Sequence, residues 1–127
     1  MNIIAIALGG ALGSVLRYGL MSTAGRVLGT GFPWGTLAVN IIGCVAMGVV
    51  IGVLAKLSAG DALWRSFLCV GVLGGFTTFS AFSLDAVVMV ERGALMPAAL
   101  YIIGSVVLSI AGLSAGLLLT RMVTGAV

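Results

Sequence analysis

Four stretches, residues 3–22, 34–55, 64–90 and 97–120, are apolar over about twenty residues or more, the length a helix needs to cross the hydrocarbon layer of a bilayer. Lipid offers backbone amides and carbonyls no hydrogen-bonding partner, so a spanning segment must satisfy them within itself, and a helix does this. Composition agrees. The chain is 61% hydrophobic and 7% charged, against roughly 25% charged in ordinary soluble domains, and its mean hydropathy is +1.33. The expected fold is an all-α integral membrane protein with four transmembrane helices in a single domain, residues 1–127.

Three short connections, AGRVLGTGFP, KLSAGDAL and ERGALMP, separate the spans and carry the breakers and much of the charge. Trp34 and Trp64 stand at span entrances, where indole rings favour the membrane interface. The opening MNIIAIALGGALGS has the apolar middle of a signal peptide without a basic leader and is expected to remain as the first helix. Each span carries two glycines four apart: Gly9 and Gly13, Gly48 and Gly52, Gly71 and Gly75, Gly112 and Gly116. Small residues at that spacing let helices approach closely in lipid.

Several function classes fall away. The formal charge of +3 comes from only six basic residues, no two adjacent, so nucleic-acid binding has no patch to rest on. With no histidine, and with Lys56, the only lysine, at a span end, an intramembrane serine hydrolase lacks a base. Cys44 and Cys69 sit alone in apolar runs and are expected to be small buried hydrophobes.

Four spans place the two chain ends and the middle connection on one side. Lys56, Arg65 and Arg121 then face Arg17, Arg26 and Arg92 across the membrane, three against three, or three against two if Arg17 is counted as intramembrane. Basic residues near span ends set orientation, and an even split gives no clear instruction. Such a chain is expected to insert both ways and to pair with an inverted copy of itself.

The third span is interrupted at GGFTTFSAFS, residues 74–83, near the midplane by the helical rise of ~1.5 Å per residue. A break at that depth exposes backbone groups that only protein, ions or water can satisfy. The bland alternative is that Thr77, Thr78, Ser80 and Ser83 bond back to the preceding turn. Asn40 lies at matching depth on the second span, with Thr36 on the same face; Tyr101, Ser105 and Ser109 recur every four residues on the fourth. These are hydroxyls and an amide, with the phenyl edges of Phe79 and Phe82 beside them and no midplane carboxylate, a set that suits a small anion. Asp85 is expected at the far interface. Arg17 either faces an aqueous vestibule or snorkels to the headgroups.

GGALGSVLRYGL, PWGTLAVNIIG over residues 33–43 and GGFTTFSAFS together resemble the Fluc family of bacterial fluoride channels, across essentially the whole chain. The resemblance implies an antiparallel dual-topology homodimer with two pores, passing fluoride passively out of the cell across the inner membrane and so conferring fluoride resistance. It further implies a pore built from Phe79, Phe82, Asn40, Thr36, Ser80, Tyr101, Ser105 and Ser109, with Arg17 as the basic residue of the first helix. A structural sodium ion at the dimer centre, held by the backbone carbonyls of Gly74 and Thr77 from both chains, is also implied. Two departures are visible: Ala81 stands where relatives often have threonine, and Asp85 where they often have glutamate. The competing reading is a small multidrug-resistance type cation/proton antiporter, but that chemistry needs a carboxylate in the first helix and none precedes Asp61.

Overall fold

The computed structural model describes residues 2–55 and 62–124; Lys56 and Asp61 lie outside them. Helix α1 (Asn2–Leu28) and α2 (Trp34–Leu54) form the first two spans. The third span, Ala62–Glu91, is split into α3 (62–76) and α4 (Phe79–Glu91), and α5 (Leu95–Thr124) is the fourth. All four spans are long and apolar enough to cross a membrane, and the described residues contain no strand.

Helix α1 runs through Ser22 to Leu28, further than hydropathy suggests, and stops where Gly29 turns to φ +81°. A left-handed backbone is cheap only for glycine, so the helix ends there. Helix α4 ends on a Schellman motif: Gly93, at φ +76°, donates to the Val90 carbonyl (2.9 Å) and Ala94 donates to that of Met89 (2.9 Å). Pro97 falls in the first turn of α5, where its missing N–H has no intrahelical partner to lose.

All four glycine pairs lie at helix contacts. A methyl group added at Gly9 would come within 2.6 Å of the Phe67 carbonyl, one at Gly75 within 2.6 Å of the Gly10 carbonyl, and one at Gly13 would strike the Val72 carbonyl. On the other seam, Gly52 faces Thr120 at 2.6 Å, Gly112 faces Val45 at 2.9 Å, and Gly48 and Gly116 meet the Leu113 and Val45 carbonyls. Along both seams the residue numbers rise together. Spans one and three are therefore parallel, as are spans two and four, which is the up-and-down order that short connections impose.

Residues 66–73 of α3 are wound as a π-helix, and the Gly74 amide donates to both Cys69 and Gly71 carbonyls where it closes. The wider winding lies along the α1 seam, where the Phe67 and Val72 carbonyls press on Gly9 and Gly13. The buried cluster of Phe82, Ala86, Met89, Ala98 and Tyr101 sits towards the other end, beneath Phe32 and Leu37. Most large apolar side chains on the outside, such as Leu8, Val15 and Leu100, remain exposed, as a lipid-facing surface requires. Trp34 and Trp64 are also exposed near helix ends, in keeping with an interfacial position.

Candidate functional site

Only two residues leave the helix in the third span. Thr77 (φ −81°, ψ 160°) and Thr78 (φ −153°, ψ 116°) are extended, with 62–76 before them and Phe79–Glu91 after. Gly74, which the sequence placed inside the break, is still helical. The break lies halfway along the span, at the depth expected from helical rise.

Its backbone groups find partners on three elements. The Thr78 amide donates to Asn40 Oδ1 (2.8 Å), and Asn40 Nδ2 donates back to the Thr78 carbonyl (3.0 Å). The side-chain amide of α2 thus imitates a neighbouring strand. Thr77 closes α3 through its amide and its hydroxyl, both donating to the Leu73 carbonyl at 3.0 Å. Thr78 opens α4 as its N-cap, its hydroxyl accepting from the Ala81 amide at 3.1 Å and lying 3.2 Å from Ser80 Oγ. The Thr77 carbonyl accepts from Arg17 Nη1 at 3.1 Å.

Arg17 is therefore directed at the break and not at the headgroups. It belongs to the middle of α1, because that helix is longer than its hydropathy pattern indicates. Back-bonding of the kind the bland alternative invokes is also present: Ser83 Oγ donates to the Phe79 carbonyl (2.9 Å). It coexists with the break and does not replace it.

Beside the break is a cavity of about 350 Å³ between α2, α4 and α5. Its wall includes Asn40, Thr77, Thr78, Phe79, Phe82, Ser105 and Ser109, so five of the eight residues expected to line a pore meet here. Phe79 is 77% exposed at the open side while Phe82 is buried, their ring centroids 5.4 Å apart. Ser105 is 5% exposed, and its hydroxyl has no hydrogen-bond partner among the described residues. Leaving a buried hydroxyl unpaired costs about 1–3 kcal/mol. No carboxylate and no basic side chain lies on this wall.

Three expected lining residues are elsewhere. Ser80 is exposed beside Thr78, while Thr36 and Tyr101 are buried one layer away. The Tyr101 hydroxyl donates to Asp85 Oδ2 (3.2 Å), and Thr36 and Asp85 line a second cavity of about 300 Å³ under the 29–33 connection, with Arg92. Asp85 comes six residues before the end of α4 and lines this cavity together with Trp34. Ala81 is absent from the cavity wall; its amide, not its side chain, takes part in the site. Sequence reasoning missed the Arg17 contact and the role of Thr78 as cap. The Thr-x-x spacing before Ala81 was a usable signal for the cap; nothing local signalled the arginine.

Residues 4–117 match the family model described as CrcB-like protein, Camphor Resistance (CrcB). The chain is 48% identical over 124 residues to "Fluoride-specific ion channel FluC 2" of Nitrobacter hamburgensis, covering 98% of this chain and all of that protein. It is 52% identical over 121 residues to "Fluoride-specific ion channel FluC" of Agrobacterium fabrum, covering 95% and 97% of the two. A third relative of the same name, from Paracoccus denitrificans, is 54% identical over 116 residues, 91% of each chain.

Proposed function

From the premise that the chain belongs to the CrcB-like family, we propose that it is a fluoride-selective channel mediating passive efflux across a bacterial inner membrane. It is a multi-pass membrane channel and not an enzyme. The observation that carries the reading is the cavity beside the break, whose wall brings the Asn40 amide, the Ser109 hydroxyl and the Phe79 and Phe82 rings together with no carboxylate.

A small anion entering the membrane loses water ligands that bound it strongly, and donors must take their place. Ser105 and Ser109 supply hydroxyls from α5. Asn40 spends one N–H on Thr78 and keeps the second, since a side-chain amide carries two donors. The Phe79 and Phe82 rings present partially positive edges, which attract an anion without offering an acceptor that would hold a cation. Each group is held before the ion arrives: Asn40 by Thr78, and Phe79 by its place as the first residue after the Thr78 cap.

No gradient need be coupled. A cytoplasm-negative potential favours anion exit by ~2.3 kcal/mol per 100 mV. The antiporter alternative lacks its proton-carrying group, because α1 holds no carboxylate and Asp85 is bonded to Tyr101. We further assign the working form to an antiparallel dual-topology homodimer. Its support is the nearly even charge split, three against two with Arg17 held at the break, and the largely exposed Phe79, on the side of the cavity that one copy leaves open. The break also suits the implied sodium ion. With the Thr78 amide turned to Asn40, the Gly74 carbonyl loses its helical partner, and Thr77 is extended. Gly74 carbonyls from two copies would hold the ion, joined by Thr77 carbonyls through the lone pair that Arg17 Nη1 (3.1 Å) leaves free, so the ion would stand beside the guanidinium as well as against the carbonyl dipoles.

Efflux from liposomes containing the purified protein tests the reading, with a fluoride electrode, a potassium ionophore to clamp voltage and chloride release followed in parallel. Fluoride release without chloride release is expected. A folded protein silent to both ions would refute the channel.

A further inference from the structure

A chain of ring contacts runs from the 29–33 connection to the cavity beside the break. Trp34 and Phe32 have ring centroids 4.6 Å apart, Phe32 meets Tyr101 edge to face at 5.6 Å and 86°, Tyr101 meets Phe82 at 5.3 Å, and Phe82 meets Phe79 at 5.4 Å. At such separations ring edges and faces attract, beyond what buried area alone supplies. Phe79 and Phe82 stand on the cavity wall, whereas Phe32 belongs to the connection between α1 and α2.

Phe32 is the fixed end of this chain. Pro33 has φ −78° and ψ 59°, and the Trp34 amide donates to the Phe32 carbonyl at 2.8 Å, which is an inverse γ-turn. The proline ring restricts φ, so the turn couples Phe32 to the first residue of α2 with little freedom. Tyr101, 1% exposed, is then held twice: its ring lies against Phe32 and its hydroxyl donates to Asp85 Oδ2. Phe82 packs on the ring so held. A phenyl group has no hydrogen bond to orient it and its χ2 torsion is soft, so neighbouring rings decide its plane. That plane matters beside an anion, because the edge of the ring attracts negative charge and the face repels it.

We propose that Phe32 is a positioning residue for the cavity: through Tyr101 it fixes the ring plane of Phe82, and so the direction in which Phe82 presents its edge. The orientation of Phe82 is a property of the fold, while its effect on efflux rests on the channel reading.

Phe32→Leu keeps apolar bulk without the ring, and Phe32→Tyr keeps the ring. Both are compared with the unaltered chain, by NMR of isotope-labelled phenylalanine rings in nanodiscs and by fluoride and chloride release from liposomes. The Phe82 signal is the one missing from Phe82→Leu. In Phe32→Leu that signal should shift or broaden and fluoride efflux should slow about two- to tenfold, the span to which the energy of one aromatic pair converts. Phe32→Tyr should restore both. Should Phe32→Leu fail to fold, Phe32→Met, which fills the same space flexibly, takes its place. An unmoved Phe82 signal in the folded variant, or equal losses in Phe32→Leu and Phe32→Tyr, overturns the positioning by the ring. A moved signal with normal efflux overturns its bearing on the ion route. Efflux absent from the unaltered chain refutes the channel reading alone, and the Phe82 signal still decides the positioning.

Discussion

Replacing Asn40 by alanine removes both hydrogen bonds that hold the Thr78 peptide. The Thr78 amide then has no partner, a loss of about 1–3 kcal/mol for a buried donor. Its carbonyl also serves the first turn of α4 and loses less, about 1 kcal/mol. The break is therefore weakened by ~2–4 kcal/mol relative to conformers in which Thr77 and Thr78 rejoin a helix. At about 1.4 kcal/mol per factor of ten, that is roughly a 30- to 1,000-fold shift in population. Phe79, the next residue, turns with them, and the donor from Asn40 disappears from the cavity at the same time. Hydrogen exchange of the peptide covering residues 73–82, in nanodiscs, should quicken by a similar factor, and fluoride efflux should fall at least thirtyfold. Asn40→Asp separates the two effects. It keeps an acceptor for the Thr78 amide, so exchange at that amide stays slow, but it brings a carboxylate into the anion path and efflux is lost. Normal efflux and normal exchange in Asn40→Ala would refute the clamp.

Ser105→Ala removes a hydroxyl that has no protein partner, so thermal stability should hold or rise slightly while efflux falls about tenfold; reduced stability with normal efflux would contradict the role given to Ser105. Gly48→Ala pushes a methyl group onto the Leu113 carbonyl and to 2.8 Å from the Leu117 amide, backbone that cannot move aside, and should lower stability by about 1–3 kcal/mol. Thermal unfolding in detergent measures it, with Gly104→Ala, where nothing lies within 4 Å, as the neutral comparison.

Four helices, their up-and-down order, a polar interruption halfway along the third and glycine contacts on every span were all legible from residue order. These properties are local or periodic. A bilayer demands a fixed length of apolar helix, and glycines four apart mark a close-packed face whichever helix meets it. Residue order also put Asn40, Phe79, Phe82, Ser105 and Ser109 at compatible depths, since depth is only a count of residues along a helix.

Which helix turns towards which was decided by the tertiary structure alone. Thr77 and Thr78 are the residues that leave the helix because an asparagine 38 positions earlier takes the Thr78 amide, and Arg17 is held at the Thr77 carbonyl, 60 positions away. The π-winding of residues 66–73 lies along α1, and Ser105 is left without a partner although Tyr101, one turn earlier on the same face, has Asp85. Rotation about a helix axis sets every one of these contacts. In lipid nearly the whole circumference of a span is apolar, so hydropathy carries no information about that rotation, and only packing between helices selects it.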